Sequence, residues 1–244
     1  MKRDITIKTA DGTARAGLFR DDSAKAASRA GVVLYMDVFG VRPAMDSMAE
    51  RLASAGYLVL VPDLFYRSGA YDPVPEARSV DDTTRKKFFA MMGATSQEMT
   101  KRDGAAFIET LTNEGATGKI GTVGYCMGGS RAMHAAAAYP DRVAAAASFH
   151  GGGLASEAPD SPHRSVDTIR GRVYVGSAGV DASFPPDQSA RLAEALRTAE
   201  IDHVIENYVG MAHGWTVPDH GAFKPAGAER HWTRLLTLFK EMLQ

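Results

Sequence analysis

Short apolar runs alternate along this chain with longer segments in which apolar residues recur every three or four positions. The apolar runs predict strands, which we place at residues 5–9, 13–19, 31–36, 57–61, 119–123, 143–149, 172–176 and 203–208. The longer segments have helical periodicity and predict helices at residues 43–55, 84–92, 97–111, 130–139, 186–199 and 226–243. The first two strands are joined by Asp11-Gly12, a strong signal for a hairpin turn.

Strands that alternate with helices after an initial hairpin predict an α/β fold, with a mainly parallel sheet covered by helices on both faces. Two polar segments interrupt the alternation. We interpret residues 21–30 as a loop and residues 64–82 as a long surface excursion. No linker rich in Pro, Ser and Gly divides the chain, so we expect residues 1–244 to form a single domain.

The composition is typical of a globular protein that stays in solution. Of 244 residues 45% are hydrophobic, and the formal net charge is -1, so no basic excess indicates nucleic acid or an anionic membrane as a partner. The N-terminus lacks the apolar stretch of a signal peptide, and no apolar run approaches membrane-spanning length. A single cysteine excludes an internal disulfide and a Cys-x-x-Cys metal cluster. We expect a cytoplasmic protein without metal or cofactor, monomeric or a small homo-oligomer.

The only cysteine, Cys126, stands between a predicted strand and a predicted helix, with glycines two positions before it and two after it. At such a corner a Cβ on Gly124 or Gly128 would collide as the chain doubles back, which is the requirement of a nucleophile elbow. The pattern is G-x-C-x-G, with cysteine where most such enzymes carry serine. If the corner forms, the helix N-terminus favours a thiolate, and the Met127 amide can donate to a developing oxyanion. The alternative is an ordinary buried cysteine.

A thiol nucleophile needs a base within reach and an acid that orients the base. In parallel sheets the active site lies at the carboxyl ends of the strands, where this chain has Asp37, Asp63, Cys126, His150, Asp181 and His213. His213 is favoured as the base, because it follows the last strand between two small residues and completes the order nucleophile, acid, histidine. Asp181 lies between the two in sequence and is favoured as the acid.

The competing candidates for base and acid are less suited by their positions along the chain. His150 also follows a strand, but one strand after the nucleophile it would border the pocket and contact substrate. Asp187 falls in the first turn of the next helix, where the helix dipole accounts for a carboxylate. His134 lies on the helix after the corner and His203 opens a strand, and we interpret both as surface or packing residues. His163, His220 and His231 lie in polar loops or on the last helix, away from the carboxyl end of a strand.

With these residues placed, the chain resembles the dienelactone hydrolase family of the α/β-hydrolase superfamily over nearly its whole length. The matching pieces are Asp37-Val38-Phe39-Gly40, Gly56-Tyr57, Pro62-Asp63-Leu64-Phe65, Gly124-Tyr125-Cys126-Met127-Gly128-Gly129, the region ending at Asp181, and Ala212-His213-Gly214. The resemblance implies an α/β-hydrolase fold in which Cys126 is the nucleophile, His213 the base and Asp181 its orienting acid. It also implies an oxyanion hole formed by the N–H groups of Met127 and Val38.

The chain departs from the family pattern at two places. The family's founding enzymes carry glutamate where this chain has Asp37, a carboxylate implied to hydrogen-bond the resting thiol, and aspartate is one methylene shorter. Those enzymes also hold a substrate carboxylate with arginines, one of them shortly after the catalytic histidine, where this chain has Gly214-Trp215-Thr216-Val217. Arg85 could match the other arginine. The resemblance therefore implies the type of reaction but not a dienelactone substrate.

The sequence thus predicts a cysteine-dependent hydrolase of small esters or lactones that works through an acyl-enzyme. We expect a pocket lined by Phe39, Tyr66, Tyr71, Arg85, His150, Phe184 and Trp215. The alternative for each aromatic residue is that it packs in the core. The same triad could serve a thioesterase or another acyl transfer. A binding or scaffold protein on the same fold and a redox-sensing thiol are the alternatives without hydrolysis.

Overall fold

One sheet of eight strands runs through the molecule, which a computed structural model describes for residues 1–21 and 29–244. The strands are β1 (Lys2–Thr9), β2 (Gly12–Phe19), β3 (Arg29–Tyr35), β4 (Leu58–Pro62), β5 (Ala116–Tyr125), β6 (Val143–Phe149), β7 (Arg172–Val180) and β8 (His203–Ala212). The α-helices are α1 (Pro43–Ser54), α2 (Asp82–Ala94), α3 (Gln97–Asn113), α4 (Met127–Ala138), α5 (Pro186–Thr198) and α6 (Pro225–Leu243). None of the described helices is long and apolar enough to cross a membrane.

The order of the strands in the sheet is β1-β2-β4-β3-β5-β6-β7-β8. β2 pairs antiparallel with both β1 and β4, and every pairing from β4 to β8 is parallel. The prediction of a mainly parallel sheet with an N-terminal hairpin is therefore confirmed.

The central strand β5 shows which helices cover each face of the sheet. Neighbouring residues of a strand point to opposite faces. Thr122 donates a hydrogen bond from Oγ1 to the Ala132 carbonyl of α4 at 3.0 Å. Gly121 faces α6 instead, since a Cβ added to it would lie 2.7 Å from the ring of Phe239. α4 and α6 thus cover opposite faces of the sheet.

The hairpin turn lies one residue earlier than the Asp11-Gly12 pair indicated. Thr9 pairs with Gly12, which leaves Ala10 and Asp11 as the two loop residues. Gly12 has a φ of 147°, a conformation that residues with a Cβ rarely adopt. The glycine is used at the first paired position after the turn and not inside it.

β7 and β8 both continue beyond their predicted ends at residues 176 and 208, and this extension positions the site. Their last pair is Val180 with Ala212, reached after an irregularity in the register. Because the two strands are parallel, the residues that follow, Asp181 and His213, leave the sheet side by side.

The segment between β4 and α2 is packed more closely than the surface excursion predicted for residues 64–82. It contains two short 3-10 turns, Tyr66–Ser68 and Ala77–Ser79. Five of its apolar side chains are buried, namely Leu64, Phe65, Tyr71, Val74 and Ala77. They were missed because they recur without a regular spacing. Of the loop predicted at residues 21–30, residues 22–28 lie outside the described residues, and residues 29 and 30 belong to β3.

Candidate active site

Cys126 forms a sharp corner between β5 and α4. Its backbone has φ 55° and ψ -120°, a conformation that is strained for a residue with a Cβ. A Cβ on Gly124 would lie 1.9 Å from the Gly128 carbonyl oxygen, and a Cβ on Gly128 would lie 2.3 Å from the Tyr35 carbonyl oxygen. Both glycines are needed for the chain to fold back here, which is the geometry of a nucleophile elbow. The Cys126 side chain is half-buried.

Two backbone amides, those of Met127 and Val38, belong to the segments that meet at the Cys126 corner. Met127 is the first residue of α4, and Val38 follows β3, whose last carbonyl groups pack against Gly128. Within residues 1–21 and 29–244, neither amide has a hydrogen-bond acceptor. An unpaired amide at a helix N-terminus, with a second one from a neighbouring loop, is what an oxyanion hole requires.

His213 is held at the site by Asp181. Its Nδ1 lies 2.7 Å from Oδ2 of Asp181. Ser183 donates hydrogen bonds to the other carboxylate oxygen from its amide at 2.9 Å and from its hydroxyl at 2.6 Å. The Asp181 side chain is only 4% exposed, so water competes little for the carboxylate. These contacts fix the orientation of the imidazole.

The contacts of His213 also decide its charge. Burial lowers the pKa of His213, but its hydrogen bonds with Asp181 and Cys126 outweigh burial and raise the pKa to about 10. Burial raises the pKa of Asp181, and the hydrogen bonds from His213 and Ser183 bring it below its ordinary value. The raised pKa favours the protonated imidazole at neutral pH.

His150, predicted to contact substrate, hydrogen-bonds the backbone of Cys126. Its Nδ1 accepts from the Cys126 amide at 3.1 Å, and its Nε2 lies 2.8 Å from Oγ1 of Thr216. Because Nδ1 accepts, the ring is assigned as neutral with its proton on Nε2. Burial, followed by the charges of His213 and His220, holds the pKa of His150 well below its usual value. His150 is 1% exposed and is one of the residues that line the cavity.

Asp37 lines the same cavity as Cys126, but its carboxylate is occupied by an arginine. Arg42 donates from Nη1 to Oδ1 at 2.7 Å and from Nη2 to Oδ2 at 2.8 Å. The Phe39 amide also donates to Oδ1 at 2.9 Å. The resemblance implied a hydrogen bond from this carboxylate to the resting thiol, whereas its hydrogen bonds within the described chain go to Arg42 and to its own loop. In the sequence, Arg42 cannot be distinguished from an exposed arginine that precedes a helix.

The thiol opens into a small cavity of about 100 Å³. Ten residues line it: Asp37, Val38, Phe39, Arg85, Phe89, Cys126, His150, His213, Gly214 and His220. From the predicted pocket set the structure thus brings together Phe39, Arg85 and His150. Arg85 and Phe89 lie one turn apart on the same face of α2. No group of three His, Cys, Asp or Glu side chains in the described part of the chain could hold a metal ion.

Four aromatic residues predicted for the pocket do not line this cavity. Tyr66 hydrogen-bonds to β1 at 2.7 Å, and Tyr71 donates to a carboxylate at the end of β4 at 2.9 Å. Trp215 and Phe184 are buried in the core. The alternative, a packing role, therefore describes the position of these four residues better. The sequence could not decide this, since the side chain of a loop residue can turn either into the core or towards the cavity.

His220 lines the cavity, although its place in a polar loop indicated a position away from the site. Its Nδ1 accepts a hydrogen bond from the Ala222 amide at 3.1 Å. The ring packs on Gly214, where an added Cβ would lie 2.4 Å from Nδ1 and where φ is 91°. Burial lowers the pKa of His220 although Asp37 raises it. In the sequence, only the glycine after His213 indicated that another group packs against the backbone at this position.

The model of the dienelactone hydrolase family matches residues 16–243. The chain belongs to the dienelactone hydrolase family. A carboxymethylenebutenolidase from Rhodococcus opacus is 29% identical over 219 residues, which are 87% of this chain and 81% of the relative. The predicted membership is confirmed, and with it the prediction of an enzyme of the carboxylic ester hydrolase class.

Solved structures share the fold over the whole chain. A candidate dienelactone hydrolase from Klebsiella pneumoniae superimposes with a TM-score of 0.85 at 21% identity, covering 99% of this chain and 98% of that one. A dienelactone hydrolase-like promiscuous phosphotriesterase from metagenomic libraries superimposes with a TM-score of 0.79 at 22% identity, again over 99% and 98% of the two chains. The α/β-hydrolase fold predicted for this family member is therefore confirmed.

Proposed function

We propose that this protein hydrolyses small esters or lactones through a covalent thioester on Cys126. The observation that carries the proposal is the meeting of three features at one cavity: the strained Cys126 corner, His213 held by Asp181 at 2.7 Å, and the unpaired Met127 and Val38 amides. A nucleophile, a base, a group that orients the base and oxyanion donors are the parts that acyl transfer requires.

The reaction proceeds in two halves. In the first, the Cys126 sulfur attacks the carbonyl carbon, and the carbonyl oxygen becomes an oxyanion bound by the Met127 and Val38 amides. The bond to the alcohol oxygen then breaks, and the alcohol leaves with the proton of the His213 imidazolium. In the second half, water attacks the thioester carbon and gives a proton to His213. The carbon–sulfur bond breaks, the acid is released, and the thiolate–imidazolium pair is restored.

Esters and lactones suit this nucleophile better than amides. A thiolate is a better leaving group than an amine, so a tetrahedral intermediate formed from an amide expels the enzyme instead of the amine. The cavity of about 100 Å³ favours a small acyl group.

Arg85 supports an acyl group that carries a negative charge. Its guanidinium lies over the Phe39 ring, 5.8 Å from the centroid, and both residues line the cavity. The guanidinium makes one hydrogen bond to a described residue, a long one of 3.5 Å to the Val80 carbonyl. A guanidinium without a carboxylate partner among the described residues is available to bind a substrate carboxylate in a forked geometry.

Turnover of p-nitrophenyl acetate by site variants tests the proposal. We expect Cys126→Ala to reduce hydrolysis to the background rate and His213→Ala to reduce kcat by about 10²–10⁴-fold, the range typical of general acid–base catalysis. His203→Ala, at the start of β8, is the matched control and should keep the wild-type rate. An acetyl group on Cys126, found by mass spectrometry after rapid quenching, would mark the thioester. Equal, near-background rates for the wild type and both site variants would refute hydrolysis.

A further inference from the structure

The Arg42 side chain is fully buried between two carboxylates, one from its own loop and one from a distant part of the chain. Its Nη1 and Nη2 donate to Asp37 at 2.7 and 2.8 Å, and its Nε and Nη2 donate to Asp219 at 2.7 and 2.9 Å. The side chains of Arg42, Asp37 and Asp219 are 0%, 4% and 9% exposed. Bidentate pairs of this kind are strong and allow little freedom of orientation.

These three side chains join three segments of the chain, two of which line the cavity of the thiol. Asp37 directly precedes Val38, and its Oδ1 also accepts from the Phe39 amide at 2.9 Å. Asp219 belongs to the loop that follows His213, and its Oδ2 accepts from the Ala77 amide, in the segment before α2, at 2.9 Å. The loop that carries the Val38 amide is therefore fixed from outside by Arg42 and Asp219.

The geometry points to Arg42 and Asp219 as positioning residues that hold the Val38 amide in place through Asp37. Asp37 then supports the oxyanion hole and does not activate the thiol. A rotation of its carboxylate towards Cys126 would leave the buried guanidinium with only part of its negative partners, which is costly. The inference rests on the proposed function, because the Val38 amide has a role only when Cys126 attacks a carbonyl group.

Two reactions of the same thiol separate the two roles of Asp37. Hydrolysis of p-nitrophenyl acetate passes through an oxyanion and needs the Val38 amide. Alkylation by iodoacetamide displaces iodide at a saturated carbon and forms no oxyanion, so its rate and pH profile report on the thiol alone. A residue that only positions the oxyanion hole affects the first reaction and leaves the second unchanged.

The variants are Asp37→Asn and Asp219→Asn, which keep the shape of the side chain and lose its charge. Asp202→Asn is the matched control, since Asp202 pairs with Arg172 at the surface, at 2.6 Å, away from the cavity. We expect kcat to fall about tenfold in both site variants, a part of the 10²–10³-fold that a lost oxyanion donor costs. KM and the pH profile of alkylation should stay as in the wild type, and the control should match the wild type in both reactions.

A shifted alkylation profile in Asp37→Asn would assign Asp37 to the thiol and overturn the inference. A wild-type kcat in Asp219→Asn would overturn it as well. If circular dichroism shows that Asp219→Asn does not fold, Arg42→Lys takes its place. An ammonium group cannot bridge both carboxylates in forked geometry, so Arg42→Lys should show the same loss of kcat with normal alkylation. Failure of the proposed function looks different: the wild type itself would then hydrolyse the ester no faster than Cys126→Ala.

Discussion

The backbone amide of Cys126 donates a hydrogen bond to Nδ1 of His150 at 3.1 Å, so a side chain from the end of β6 holds the corner that presents the thiol. The same amide lies 3.2 Å from the Phe149 carbonyl oxygen and is shared between the two acceptors. His150 is itself strained, with a φ of 40°, and its amide donates to the Gly176 carbonyl of β7 at 2.9 Å. The strained backbone of Cys126 thus depends on a strained neighbour that the sheet holds in place.

The phenylalanine variant of His150 removes the acceptor and keeps an aromatic ring of similar size. We expect His150→Phe to lower the free energy of unfolding by about 0.5–1.5 kcal/mol, because the Cys126 amide loses one of its two acceptors. In His150→Asn the side-chain Oδ1 can take the place of Nδ1, and both stability and kcat should recover in part. Urea unfolding and p-nitrophenyl acetate turnover measure the two effects. Identical unfolding of His150→Phe and the wild type would mean that the Phe149 carbonyl alone satisfies the amide.

Alanine should change the stability of the protein in opposite directions at two glycines, Gly128 in the elbow and Gly93 in α2. A Cβ on Gly128 would lie 2.3 and 2.6 Å from the carbonyl oxygens of Tyr35 and Met36, which are backbone atoms that cannot move aside cheaply. We expect Gly128→Ala to reduce the free energy of unfolding by more than the roughly 1–3 kcal/mol typical of overpacking, and to abolish turnover. Gly93→Ala is the control, since Gly93 lies in α2 with no atom within 4 Å of an added Cβ.

Gly93→Ala should stabilise the protein by about 0.4–1 kcal/mol, because alanine loses less backbone freedom than glycine when it folds into a helix. Thermal unfolding compares the two alanine variants directly. A Gly128→Ala protein that unfolds at the wild-type temperature would show that β3 does not press on the start of α4.

The elements of this fold could be predicted from local patterns, and so could the proximity of Cys126, Asp181 and His213. The ends of β7 and β8 could not, because Gly176 to Gly179 is a run of small residues that resembles a loop, and only pairing with β8 makes it a strand. The contact of Arg42 with Asp219 joins residues 177 positions apart, for which no local pattern exists. Sequence reasoning therefore found the groups that follow strands, and it missed Arg42 and Asp219, which hold one of those groups, Asp37.

The charge of His213 predicts how stability depends on pH. An unfolded histidine titrates near pH 6.5, and the pKa of folded His213 is raised to about 10, so the folded protein holds this proton more tightly. The resulting stability is fully present below about pH 6.5 and is lost as the pH rises to about 10. The pKa of Asp181 is lowered, so the stability from its own ionisation is lost only in acid, below the ordinary range of aspartate.

Asp181→Asn removes the contact that raises the pKa of His213 most. We therefore expect the difference in unfolding free energy between wild type and Asp181→Asn to be largest near pH 6 and to shrink steadily towards pH 10. Urea unfolding at a series of pH values measures this difference. A difference that stays constant over that range would mean that Asp181 holds an imidazole whose pKa is the same in the folded and unfolded states.

Arg85 allows a test of substrate charge that does not disturb the triad. Two esters with the same leaving group, p-nitrophenyl acetate and p-nitrophenyl hemisuccinate, differ by a carboxylate on the acyl side. We expect Arg85→Met to raise KM for the hemisuccinate about tenfold, the effect of losing about 1.4 kcal/mol of charge-assisted binding, and to leave KM for the acetate unchanged.

The matched control for Arg85→Met is Lys86→Met, which removes one positive charge from the neighbouring position of α2, where the side chain is exposed but does not line the cavity. If charge is sensed only through the overall field of the protein, both variants raise KM for the hemisuccinate alike, and added salt removes the effect in both. If the Arg85 guanidinium binds the carboxylate directly, only Arg85→Met has the effect. Because Arg85 has no acidic partner among the described residues and lies over Phe39 in the lining of the cavity, we expect the second result.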